Sequence, residues 1–235
     1  MNSRRAVKRD YSSPLRDAQA QATRLNVITA AGRLFVDNGY GATSIEAIAQ
    51  AAGVGRATVF TSVGGKPALL RTAYDVAIVG DDEPVPLPQR PWARRVLEAT
   101  TQRERIDRYA DVLVLVNSRV AGICEAFRGA ASSDLDVRAS WESIRSERRG
   151  GAANFVRFIT DLGDLRPGLD AEHAADIVWL LNDPALYHQL VVERGWSEAH
   201  YRDWLSETMQ AQLLSGRPRG ARREGSTIRT RAQST

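Results

Sequence analysis

Between Thr43 and Leu70 the chain reads TSIEAIAQAAGVGRATVFTSVGGKPALL, and this stretch limits the fold more than any other. Ile45, Ile48, Ala49 and Ala52 recur at three- and four-residue spacing, the pattern of a helix with one apolar face. Thr43 and Glu46 have the spacing of a capping box, which opens a helix by satisfying its first amides. Gly53 closes that run, and a second short helix is expected from Gly55 to Ser62 before Gly64-Gly65. The turn Ala51–Gly55 is small and tight: Gly53 permits a positive φ, and Val54 supplies an apolar contact that fixes the angle between the helices. Two short helices joined in this way make a helix-turn-helix.

The remainder is also helical in pattern, and strand-like alternation is rare. A helix is expected over 15–37, with Leu25, Ile28, Ala31 and Phe35 on one face and Asn38-Gly39 ending it. Another is expected over 66–79, carrying Leu69, Leu70, Ala73 and Tyr74. Asp81 to Pro91 holds four of the nine prolines, which marks a linker or a stiff loop. Beyond it the periodicity predicts helices over 91–100, 103–127, 134–162, 171–193 and 197–214. A break is expected at Asn182-Asp183-Pro184, where Asp183 can cap and Pro184 can restart a helix. The resulting division is a flexible basic arm at 1–20, a helix-turn-helix domain at 21–75, a helical domain at 76–215 and a disordered basic tail at 216–235.

Charge is distributed unevenly along this plan. The chain of 235 residues has a net charge of +4. Residues 1–75 hold ten basic against five acidic side chains, and the tail has six arginines against Glu224 alone. The middle is therefore net acidic, as in a nucleic-acid-binding end fused to a body with another task. Enzyme classes find little support. His173, His188 and His200 lack metal-ligand spacing, Cys124 has no partner, Gly53-Val54-Gly55 lacks the third glycine of a dinucleotide loop, and no Ser-centred elbow is present. No metal or cofactor is expected. With no apolar run of about 18 residues, a membrane span is not expected either, and a cytoplasmic location is.

The motif in register is Gly39-Tyr40, Thr43-Ser44, Ile48-Ala49, Ala52-Gly53-Val54, Thr58, Phe60, Lys66 and Leu69-Leu70. This resembles the DNA-binding signature of the TetR family of transcriptional regulators, closely over Leu25 to Tyr74. The resemblance implies an all-α protein: an N-terminal three-helix DNA-binding domain and a C-terminal helical domain for ligand binding and dimerisation. It implies a homodimer on double-stranded palindromic operator DNA and a small-molecule effector, with repression as the expected sense. An activator, or a helical adaptor that keeps the fold without binding an operator, stays open as an alternative. The DNA face implied is Thr43, Ser44, Gly55, Arg56, Ala57, Thr58, Phe60, Thr61, Ser62 and Lys66. Within it, Arg56 is suited to guanine, the methyls of Ala57 and Thr58 to thymine, and Lys66 to phosphate. The chain departs from the family at Phe60, Ser62 and Val63, where Tyr, His and Phe are usual. Phe60 lacks the hydroxyl that donates to a phosphate.

Gly163 to Leu214 resembles the C-terminal domain of one large TetR subgroup, whose last two helices pair across the dimer. Ile177, Leu181, Tyr187, Leu190, Tyr201, Leu205 and Met209 are the candidate interface stripe, and they would serve an intramolecular core equally well. The large side chains available for an effector pocket are Trp92, Tyr109, Val116, Phe127, Trp141, Phe155 and Phe158.

Overall fold

The computed structural model describes residues 14–81, 85 and 89–215. Among the described residues every regular element is helical, and no helix is long and apolar enough to cross a membrane. The first helix, α1 (Pro14–Ala42), buries Val27, Ile28, Ala31 and Phe35. Residues 14–20, expected in the arm, belong to this helix. The run from Arg16 to Ala22 is rich in alanine and glutamine, and Asp17 sits in the first turn, where it complements the helix dipole. The rest of the arm, and the tail from residue 216, lie outside the described residues. Gly39, at φ 77° and ψ 159°, interrupts α1. The chain therefore turns at the expected Asn38-Gly39 and makes one more helical turn before Thr43.

Three short helices complete the head: α2 (Ile45–Ala52), α3 (Arg56–Ser62) and α4 (Lys66–Val79). The capping residue of α2 is Ser44, not Thr43, because the Ser44 hydroxyl accepts the Ala47 amide at 3.1 Å. Thr43 is 2% exposed. Its hydroxyl points back at the Gly39 and Leu34 carbonyls, 2.8 and 3.0 Å away, and closes the end of α1. Gly53 adopts φ 68°, ψ 31°, and the Val54 amide returns to the Ala49 carbonyl at 3.0 Å. That left-handed turn sets the α2–α3 crossing.

The body comprises α5 (Pro91–Leu97), α6 (Gln102–Ala130), α7 (Leu135–Thr160), α8 (Ala171–Leu181), α9 (Pro184–Tyr187) with a π-helical continuation His188–Glu193, and α10 (Glu198–Leu213). Asp183 caps α9 through the Ala185 amide at 2.9 Å, so the break falls where Pro184 requires it. Helices α6 and α7 are antiparallel. Gln102 donates to the Gly163 carbonyl, Tyr109 stacks on Phe155 and Phe127 stacks on Trp141, in that order along the pair. Arg105, 6% exposed, fastens α5 to both helices by donating to the carbonyls of Val96, Leu97, Ala99 and Phe158.

There are two apolar cores, and the linker does not divide them. The first joins Phe35, Ile48, Val59, Leu69 and Leu70 of the head to Val120, Cys124, Phe127, Val137 and Ile144 of α6 and α7. The second binds α5 and the other ends of α6 and α7 to α8, α9 and α10. Cys124 is fully buried in the first core, and burial pushes its thiol up to about 12, so it behaves as a small apolar side chain. Leu181, Tyr187, Tyr201, Leu205 and Met209, expected at an interface between copies, are buried in the second core of a single chain, the last three at 0% exposure. Tyr187 and Tyr201 meet edge to face at 5.4 Å. The apolar stripe of α10 therefore faces its own body. Ile177 and Leu190 are only partly buried, while Leu180 and Val192 are 62% and 60% exposed.

Candidate nucleic-acid interface and effector cavity

The leading face of α3 is open. Gly55, Arg56, Ala57, Phe60 and Thr61 are exposed, and Thr58 and Ser62 are half-buried. The helix is held from below by Val59, at 0% exposure, and from the side by Arg24, which donates to the Ser62 carbonyl at 2.6 Å. The hydroxyls of Thr61 and Ser62 donate to carbonyls within their own helix, so the face offers methyl groups and a ring more than free hydroxyls. Arg56 is the exposed cation, with its side chain 62% accessible. It pairs with Glu46 across the turn, and its guanidinium lies 5.8 Å from the Phe60 ring centre. Glu46 and Phe60 thus hold the Arg56 side chain in one direction, a contact that spacing alone did not reveal.

Ser44 is exposed and Thr43 is not, so of the expected pair only Ser44 presents a side chain outward. Lys66 opens α4, whose cap, Gly65, supplies no side-chain acceptor. The Lys66 ammonium rests 4.2 Å from the Tyr40 ring centre. The Tyr40 hydroxyl in turn donates to Asp134 at 2.8 Å, in the turn between α6 and α7. Burial, then the Asp134 carboxylate, push the Tyr40 phenol well above its ordinary value, and the same hydrogen bond holds Asp134 below the usual carboxylate range. A chain of contacts thus connects Lys66 to the body.

A cavity of about 470 Å³ opens between α5, α6 and α7. Five of the seven expected residues line it: Trp92, Tyr109, Val116, Phe155 and Phe158. Phe127 and Trp141 do not, because they stack on each other at 5.7 Å within the first core, where Phe127 also meets Tyr74 edge to face. Sequence reasoning missed Tyr74 and Ile78, contributed by α4, and Asn117 and Arg148, contributed by α6 and α7. Arg148 stands in a charged run, RSERR, that reads as a solvated face. Only the fold turns one member of it inward.

An exposed α3 on a braced helix-turn-helix head is the plan of a DNA-binding regulator. Residues 27–73 match the family model described as bacterial regulatory proteins, tetR family. No curated relative matches the chain in sequence. Solved structures similar in fold include a putative transcriptional regulator from Saccharomonospora viridis in complex with choline, with a TM-score of 0.63, 19% identity and coverage of 83% of this chain and 99% of that one. The fatty acid degradation regulator FadR from Bacillus halodurans gives a TM-score of 0.64 at 14% identity, covering 85% and 96%. The FadR from Bacillus subtilis in complex with stearoyl-CoA gives 0.59 at 16%, covering 78% and 96%. Residues 27–73 therefore form a domain of the tetR-family type, and the chain shares an all-helical fold with these solved regulators.

Proposed function

We propose that this regulator is a ligand-responsive repressor that binds a palindromic operator as a homodimer. The observation that carries the reading is the course of α4. This single helix of 14 residues starts at Lys66 beside the DNA face and ends with Tyr74 and Ile78 in the cavity wall. At about 1.5 Å per residue it spans about 20 Å, so a ligand that moves its cavity end tilts the head it carries. Such a ligand releases DNA only to the extent that it binds the tilted state better.

On DNA, Arg56 reads a guanine, Ala57, Thr58 and Phe60 contact thymine methyls, and Ser44, Lys66 and the uncapped amides of α4 hold phosphates. One such head contacts too few base pairs for useful specificity, so two copies are required. The pairing surface that suits them is the outer side of α8 with its neighbourhood, where Ile177, Leu180, Leu190 and Val192 remain accessible. Neighbours of the same fold bind choline and stearoyl-CoA, which supports a small-molecule effector for this cavity. The test is binding to the DNA upstream of the chain's own gene, at two salt concentrations and with excess random DNA. Specific binding that weakens with salt is expected, and its absence at both concentrations counts against operator recognition.

A further inference from the structure

The cavity has two unlike ends. Its wall runs from Tyr109 to Val120 on α6 and from Glu147 to Phe158 on α7, in each case about 16 Å at the helical rise per residue. Because the helices are antiparallel, Tyr109 and Phe158 share one end, and Asn117 and Arg148 share the other. The first end is a mouth: Leu97 and Phe158 are 41% and 36% exposed there, with Trp92 beside them. The second is deep. Asn117 is 1% exposed, and the Arg148 side chain is 8% accessible.

The deep end carries hydrogen-bonding capacity that the protein does not use. Arg148 reaches Asp183 at 3.3 Å and the Trp179 carbonyl at 3.2 Å, both long for a guanidinium, and its Nε has no partner. Asp183 is divided: it also accepts from Arg128 at 2.9 Å and caps the Ala185 amide. Arg128 has a second carboxylate in Glu125, while Arg148 has none. The Asn117 Nδ2 likewise makes no hydrogen bond of good geometry, although the Tyr201 hydroxyl is near enough to sense it. The lining carboxylate, Glu147, is engaged by Arg71 at 2.9 Å and by Ser143 at 2.8 Å, and is half exposed. A buried cation with unfilled donors is costly and an anion would complete it, whereas the acidic group in the wall is already neutralised.

We infer that the cavity takes an amphiphilic carboxylate, bound head-first with its anionic group on Arg148 and Asn117 and its apolar body extending past Tyr109 and Phe155 to the Leu97–Phe158 mouth. This rests on the ligand-responsive reading above and gives it a ligand class and a polarity. Between the two ends, Val112, Leu113, Val116 and Phe155 supply a mainly apolar wall, to which Asn154 and Asn182 also contribute. A straight chain or a flat hydrocarbon body matches it, and a ligand with charges at both ends does not.

The experiment is calorimetric titration of the full-length wild-type protein, without DNA, with octanoate, 1-octanol and octyltrimethylammonium. Octanoate is expected to bind at least about tenfold more tightly than the alcohol, the scale of one charge-assisted hydrogen bond, and the ammonium compound not measurably. Arg148→Met should make octanoate and octanol equal, with Arg148→Lys restoring part of the difference. Should Arg148→Met fail to fold, Gly151→Leu serves instead. A Cβ at Gly151, which lines the cavity, meets nothing within 4 Å, so a leucine that extends from it into the cavity should weaken octanoate by about tenfold or more. Equal affinity for acid and alcohol, tighter binding of the ammonium, no binding of octanoate, or octanoate binding unaffected by Gly151→Leu would each overturn the inference. Release of operator DNA by a cationic compound alone would keep the ligand-responsive reading and sink this one. Octanoate binding through Arg148 with no effect on DNA would do the reverse.

Discussion

The head and the body use apolar side chains differently. In the head, the residues expected to face a partner stand outside a core that α6 and α7 complete: Phe60 is 45% exposed while Val59, next to it, is at 0%. In the body, Tyr201, Leu205 and Met209 of the last helix are all fully buried within one chain. Near the outer side of α8 the accessible apolar groups are Leu180 and Val192, which the periodicity did not single out. An exposed face made of motif residues on short helices can be read from spacing, because few packings satisfy the spacing. A stripe on a long helix only says that something covers it.

That contrast can be broken by mutation. The largest effect is expected for Leu205→Ala: about 2–5 kcal/mol lost in urea denaturation, as for a fully enclosed leucine. A variant of normal stability that sediments as a monomer would return the α10 stripe to the interface. Next, Arg56→Ala should cost about 1–3 kcal/mol of operator affinity with little loss against random DNA, in competition anisotropy, and leave the unfolding midpoint in place. Equal weakening on all sequences would make Arg56 a phosphate ligand. Leu180→Glu should shift the protein toward monomer in sedimentation while each chain keeps its stability within about 0.5 kcal/mol. An unchanged dimer would move the pairing surface off α8.

The smallest effect concerns the link between the two regions. Tyr40→Phe removes the hydrogen bond to Asp134 and should cost about 1 kcal/mol. Asp134 has a folded pKa below its unfolded one, so its contribution is present above the unfolded value and is lost as pH falls through the folded value. The Val137 and Asp136 amides and Lys66 also lower the Asp134 pKa. Tyr40→Phe should therefore keep part of the loss of stability that the wild type shows below about pH 4 and have a shallower acid limb. Parallel acid limbs in the two proteins would remove Asp134 from the link.

How much was legible follows the same division. Helix positions were readable because Gly39, Gly53, Gly64-Gly65 and Pro184 punctuate the chain, and each acts through its own backbone. Which of Thr43 and Ser44 capped α2 was not readable, because either hydroxyl suits the spacing and the choice depends on the Gly39 carbonyl that Thr43 reaches behind it. The cavity was half legible. Aromatic residues on α5, α6 and α7 were visible as large side chains, yet Phe127 and Trp141 sort into another core only through the antiparallel pairing of α6 and α7. Arg148 was hidden by its neighbours, since Arg145 and Arg149 in the same run are exposed.

The shared first core also limits how the parts can be exchanged. Phe127, Val137 and Ile144 of the body complete the packing of Phe35, Leu69 and Leu70, so a cut at the proline-rich segment would leave a head with an open underside. A chimera that swaps residues 1–75 for those of a relative therefore grafts the reading helix onto a mismatched seat unless the α6–α7 end travels with it. The packing makes the α3 face and the α6–α7 end one discontinuous unit.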